Sequence, residues 1–176
     1  MMEVKLMTKK VLAATAVLIV IVVVFAYLNA AESEDRLQSQ REAEIYLKSD
    51  GEDIATVEFE DILELDEHEF EETLRSSDSP DRDNMYTGIL MKDLIEEYDI
   101  SLSDSEQVVT RAADGYTVAL TPDEVLDEEN VYIVYKVNGE PLSPKEEGGS
   151  GPYQVIIRQD EFGQRWNKFL MEIDVN

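Results

Sequence analysis

From residue 44 onward the chain is a series of short apolar runs separated by Gly, Pro, Asn and Asp, the pattern of strands joined by tight turns. The clearest stretch runs from Val108 to Val175. Val108-Val109-Thr110-Arg111-Ala112 and Thr117-Val118-Ala119-Leu120 flank Asp114-Gly115, which predicts two strands and a hairpin turn. Thr121-Pro122-Asp123-Glu124 then predicts a short helix, with Thr as N-cap, Pro at the first helical position and acids in the first turn. Val131 to Val137 is β-branched and aromatic, a strand ended by Asn138-Gly139-Glu140-Pro141. Tyr153 to Arg158 and Phe169 to Val175 supply two more strands, with Gly148 to Pro152 as a loop and Asp160 to Gln164 as the last turn.

Upstream, Ile45-Tyr46-Leu47 is a short apolar run ended by Asp50-Gly51, and Ile54 to Phe59 reads as a strand. Phe59, Ile62, Leu63 and Leu65 suggest a short amphipathic helix. His68 to Leu74 reads as a strand with few inward apolar side chains. Ser76 to Asn84 reads as an exposed loop. Leu90, Leu94, Ile95 and Tyr98 share one face of a helix closed by Asp99-Ile100-Ser101. Strands dominate and alternate with short helices, so the fold class is α+β, a mixed β-rich domain over residues 44–176.

The N-terminal pattern differs. Residues 1–10 carry Lys5, Lys9 and Lys10, and Val11 to Leu28 contains no charged side chain. That run approaches the ~20 residues that cross a bilayer. A cleavable signal peptide is the alternative, but its apolar core is typically ~7–15 residues, and Asn29 would occupy the −3 position of the cleavage site. The expectation is an uncleaved transmembrane signal anchor over residues 11–29, then a polar tether or helix over residues 30–43. Lysines before the run and acids after it place the N-terminus in the cytoplasm and the domain outside.

Charge narrows the partners. The 176 residues hold 40 acids against 15 bases, a net charge of −25. Nucleic acid is excluded as a natural partner, because phosphate binding needs the opposite sign. A solvated acidic surface is the ordinary reading of so many carboxylates, and a cation-binding surface the sharper one. There is no cysteine, which removes disulfides, thiolate metal sites and cysteine nucleophiles. His68, the one histidine, lies between Glu67 and Glu69 and reads as a surface residue. Asp78, Asp81, Asp83 and Asn84 lack the spacing and glycine of an EF-hand and read as a solvated loop. Gly148-Gly149-Ser150-Gly151 has no following Lys and opens no helix, so it is not a phosphate-cradling loop.

Order and spacing carry a further reading. The succession Ala113-Asp114-Gly115-Tyr116-Thr117-Val118-Ala119-Leu120, Tyr135-Lys136-Val137-Asn138-Gly139-Glu140-Pro141-Leu142, Gly148-Gly149-Ser150-Gly151-Pro152 and Lys168-Phe169-Leu170 resembles the molybdopterin-binding domain of the sulfite oxidase family. The resemblance runs upstream through Thr73-Leu74-Arg75-Ser76 and Tyr86-Thr87-Gly88. It implies the family's mixed fold and a molybdopterin cofactor whose metal is held by a cysteine thiolate in a Thr-Leu-x-Cys context. Ser76 occupies the cysteine's place, so sulfur ligation of that type is not available here. Among the positions that survive, Tyr116 matches a tyrosine near the metal-bound oxygen, Lys168 a lysine near the pterin phosphate, and Arg75 is a possible phosphate contact, with Arg111 and Arg158 as others. The His-Gly pair expected before Pro152 is Ser150-Gly151, and Gln154 stands where a basic residue would bind an oxyanion.

The resemblance therefore implies Arg75, Ser76, Tyr116 and Lys168 as cofactor-binding candidates, no metal ligand and no identified catalytic residue. The expected function is a membrane-anchored extracytoplasmic pterin- or small-ligand-binding or redox-accessory module. One alternative is an active molybdopterin-dependent oxidoreductase passing electrons to a membrane partner. The other is an acidic module that docks a partner protein without a cofactor.

Overall fold

A computed structural model of the chain describes residues 2–76 and 79–176. Contacts divide it into two compact units, residues 1–35 and 36–176, and the second contains every strand. Helix α1 (Met2–Arg41) includes one stretch, beginning at Ala14, long and apolar enough to cross a membrane by length and composition. Val17 to Phe25 are exposed along it, which suits an apolar surround rather than a protein core.

The strands are β1 (Ile45–Ser49), β2 (Glu52–Val57), β3 (His68–Ser76), β4 (Ser79–Leu90), β5 (Val108–Ala112), β6 (Thr117–Leu120), β7 (Val131–Val137), β8 (Glu140–Pro141), β9 (Gln154–Ile157) and β10 (Leu170–Val175). Between them lie α2 (Phe59–Leu63), α3 (Met91–Glu97) and α4 (Pro122–Leu126), with 3-10 turns at Lys145–Glu147 and Gly163–Arg165. One sheet has the order β2-β1-β10-β5-β6. The other has the order β3-β4-β7-β8, with β9 also paired to β7. β1 and β10, from the two ends of the domain, pair in parallel, and every other ladder is antiparallel.

A single apolar cluster joins Leu47, Ile173 and Val108 of the first sheet to Ile89, Ile133 and Ile156 of the second, with Ile62, Leu94 and Val125 from α2, α3 and α4. β7, with β4 on one side and β8 and β9 on the other, is buried over its first five residues, and β9 is buried throughout. Gly88 marks where β4 passes closest to β7. A Cβ there would lie 2.6 Å from the Val134 Cα and collide with the Ile133 carbonyl, so only glycine fits.

Three expectations shift. Ser76 to Asn84 is not an exposed loop: β4 begins at Ser79 and pairs antiparallel with β3, and residues 77 and 78 lie outside the described residues. Thr73 Oγ1 donates to the Asp83 carboxylate across that hairpin (2.8 Å), so a turn-prone sequence is held extended by its partner strand. β2 ends at Val57 rather than Phe59, because Glu58 caps α2, its amide donating to Asp61 (2.8 Å). The polar segment after the apolar run is helical to Arg41. Its last turn is tied to the domain: Gln40 is buried, its amide nitrogen donating to the carbonyls of Tyr135 and Pro152, and the Tyr153 hydroxyl donates to the Gln40 carbonyl (3.3 Å).

Candidate functional site

Arg75, Tyr116 and Lys168 are each placed by different partners. Arg75 lies near the end of β3, exposed, and donates to the Glu161 carbonyl (3.5 Å) while facing the Asp81 carboxylate at 3.9 Å. Ser76 is the last residue of β3, and its backbone pairs with Ser79. Tyr116 follows the Asp114-Gly115 turn. Gly115 takes φ +89°, where glycine is favoured, and the Tyr116 amide donates to the Asp114 carboxylate (3.1 Å). The Tyr116 hydroxyl donates to the Gln164 carbonyl (2.7 Å). Arg75 and Tyr116 thus brace the same segment, residues 160–165. Lys168 is exposed, paired through its backbone to Gln154, and has no ion-pair partner among the described residues. Arg111 is taken by Glu172 and Asp174, and Arg158 by Glu72, with its guanidinium 5.0 Å from the Phe70 ring centre. His68 is half-buried, edge-on to Tyr132 with ring centres 5.8 Å apart. Asp78 lies outside the described residues.

What the fold does build is a cleft of about 450 Å³. It is lined by residues 42–44 and Tyr46, the 113–114 turn, residues 144–146, Gly151 and Pro152, and residues 169–171. Arg75, Tyr116 and Lys168 are not among its described lining residues. Yet three of these segments carry the sequence pattern: the Asp-Gly turn, the Gly/Pro loop and the closing Lys-Phe-Leu run.

Phe169 is the pivot. Its amide donates to the Ser150 carbonyl (3.0 Å), and its carbonyl accepts from the Ala113 amide (2.9 Å). These bonds hold an aromatic residue at φ +57°, a region such side chains seldom adopt. Gly151 makes the close approach on the neighbouring wall, where a Cβ would lie 2.5 Å from the Leu142 carbonyl oxygen. The Lys145 ammonium sits 5.3 Å from the centre of the Phe169 ring and 3.6 Å from the Asp114 carboxylate, with 61% of its side chain exposed. Glu42, Glu44 and Glu146 line the same cleft, and Glu44 accepts a hydrogen bond from the Tyr46 hydroxyl (3.1 Å). That bond and the carboxylate's charge push the Tyr46 hydroxyl pKa up.

In the sequence Phe169 stands out only as the start of a strand and as part of Lys168-Phe169-Leu170, and Lys145, Glu42 and Glu44 do not stand out. The signal for Lys145 was its isolation among acids, Glu140, Glu146 and Glu147. Nothing local in the sequence marks Phe169 as left-handed.

The residues do not fit a thiolate-held molybdenum centre. The chain has no cysteine, and the described residues contain no group of three or more His, Asp or Glu arranged to hold a metal ion. The cleft presents four carboxylates and one ammonium, a poor lining for a phosphate-bearing cofactor.

A family model described as the oxidoreductase molybdopterin binding domain matches residues 44–176. Among solved structures, the sulfane dehydrogenase SoxCD from Paracoccus pantotrophus superposes with a TM-score of 0.63 at 14% identity. The match covers 77% of this chain and 38% of that one, so the chain spans well under half of the solved chain and shares its fold. No curated protein matches by sequence.

Proposed function

The chain belongs to the oxidoreductase molybdopterin binding domain family, and from that premise we propose that it is a membrane-held, ligand-binding or accessory member working without thiolate-ligated molybdenum. The cleft beneath Phe169 is the observation that carries this reading. It is assembled from segments that bear the family pattern, but its polar groups are carboxylates and an ammonium, and Ser76 stands where the resemblance implies the metal-binding thiol. Its volume suits one small organic molecule, since such sites run to ~300–1,000 Å³.

The apolar part of α1 serves as the anchor. The lysines before it and the acids after it orient the domain to the extracytoplasmic side. The excess of acids adds nothing to adhesion on an anionic membrane surface, so the helix alone holds the protein there.

The test is the metal and pterin content of the full chain, made in a host that synthesises and exports molybdenum cofactor and purified in an uncharged detergent. Expected is a folded protein without stoichiometric molybdenum. Stoichiometric metal with pterin would overturn the reading in favour of an oxidoreductase. The Ser76→Cys variant is the companion measurement, and it too is expected to lack metal, because the thiol is not the only missing part. Metal in that variant alone would show the thiol to be the sole departure.

A further inference from the structure

We infer that the cleft beneath Phe169 is a receptor for a small organic cation, a protonated amine or quaternary ammonium on a flat or apolar body. The inference rests on the ligand-binding reading above and names the ligand's chemistry.

The first argument is the lining. Tyr46, Pro144, Pro152, Phe169, Leu170 and Met171 present an apolar and aromatic surface in a cavity of about 450 Å³. A purely charged ion would gain nothing from it, whereas a molecule with an apolar body would. The second is the balance of charge. Glu42, Glu44, Asp114 and Glu146 line the cleft against Lys145 alone, four carboxylates to one ammonium. Among the described residues the first two and Glu146 have no ion-pair partner, so the field at the mouth favours a cation and opposes a phosphate. The third is that the protein already seats a cation there. The Lys145 ammonium lies 5.3 Å from the Phe169 ring centre with Asp114 as counter-ion, the geometry by which aromatic faces hold ammonium groups. Lys145 is 61% exposed on its side chain and sits in a short 3-10 turn, so it can swing aside when a better cation arrives. It acts as an internal placeholder. The Phe169 backbone is held in place, because both its amide and its carbonyl are bonded at φ +57°.

The placeholder gives a prediction that an anion site would reverse. Removing Lys145 vacates the ring and strengthens binding of a cation, whereas in a phosphate site it would weaken binding. The experiment uses the full chain in an uncharged detergent and three probes with one aromatic body: benzyltrimethylammonium, benzyl alcohol and benzyl phosphate. Calorimetry gives affinity, and amide NMR shifts at residues 113–114, 145–151 and 169–171 give location. Expected is selective binding of benzyltrimethylammonium at those residues, tightened about fivefold by Lys145→Ala and weakened about fivefold by Phe169→Leu, the scale of one exposed cation–π contact. Asp114→Asn, which keeps an oxygen to accept the Tyr116 amide, weakens it as well. Preference for the phosphate or the alcohol overturns the inference and leaves a small-ligand site standing. Weaker cation binding in Lys145→Ala also overturns it. No binding of any probe at millimolar concentration, in a protein with a dispersed spectrum, removes both this inference and the ligand-binding reading.

Discussion

Gly88 shows how much a single position decides. The ladder between β4 and β7 shifts register between Thr87 and Gly88, and the two backbones touch there. The obstacles to a side chain are the Ile133 carbonyl and the Val134 Cα, main-chain atoms of a buried central strand that cannot rotate away. Gly88→Ala is therefore expected to destabilise the domain by about 2 kcal/mol or more, the cost of overpacking a tight interior, read as a lower urea midpoint with an unchanged slope. The sequence marked Gly88 only as part of Tyr86-Thr87-Gly88; its crowding comes from a strand over forty residues away. The cleft was legible to the same limited degree. Asp114-Gly115, Gly148 to Pro152 and Lys168-Phe169-Leu170 were visible as segments, and they do line or border the cleft. The side chains picked from them were not the ones facing it. Tyr116 is spent on Gln164, while Phe169 reaches the cleft through a left-handed backbone that no residue type announces.

At the level of elements, α4 is the piece whose sequence and structure agree most closely. Thr121 Oγ1 accepts from the Glu124 amide (3.3 Å), and the Thr121 amide donates back to the Glu124 carboxylate (2.8 Å). Partial burial works against ionisation of Glu124, but the bonds from Arg165 and Thr121 outweigh it and hold its pKa below the usual carboxylate value. Arg165 also binds Asp160, so the cap of a five-residue helix is linked to the segment that Arg75 and Tyr116 brace. Thr121→Ala is expected to cost about 1 kcal/mol, as N-cap loss generally does, with amide exchange accelerated most at residues 123–126. β5, β6, β7 and β9 were legible because each is rich in β-branched or aromatic residues, and β10 because apolar residues alternate with acids from Met171 to Val175. The start of β4 was not, because Pro80, Asp81, Asp83 and Asn84 are turn formers whose extended state is imposed by pairing with β3. The parallel pairing of β1 with β10 has no local signal either, since its partners come from opposite ends of the domain.

The whole domain is knit together around two tyrosines, and that gives it a defined alkaline limit. Tyr135 of β7 packs edge-on to Phe59 of α2, with ring centres 5.4 Å apart, and donates its hydroxyl to Glu67 (2.5 Å). Tyr153 packs against the same Phe59 at 6.4 Å and donates to the carbonyls of Gln40 and Ala43, so it fastens the end of α1 to the strands. Burial raises both hydroxyl pKa values well above the ordinary 10.0, helped by the Glu67 hydrogen bond at Tyr135 and the Glu60 charge at Tyr153. The sign follows from linkage. Both phenols are protonated in folded and unfolded chains below pH 10, so neither alters stability with pH in that range. Above it the unfolded chain releases protons that the folded chain must keep, and stability falls with each step upward. The net charge of −25 adds self-repulsion that grows in the same direction. The expected result is a cooperative alkaline unfolding that begins above pH 10. Of the eight tyrosines, Tyr135 and Tyr153 should ionise only as circular dichroism reports loss of structure. Tyr135→Phe removes one of these protons and the contact with Glu67, so it should shift the transition to higher pH while lowering stability at neutral pH. If all eight phenols titrated smoothly before the structure was lost, the two hydroxyls would not be buried in the folded domain.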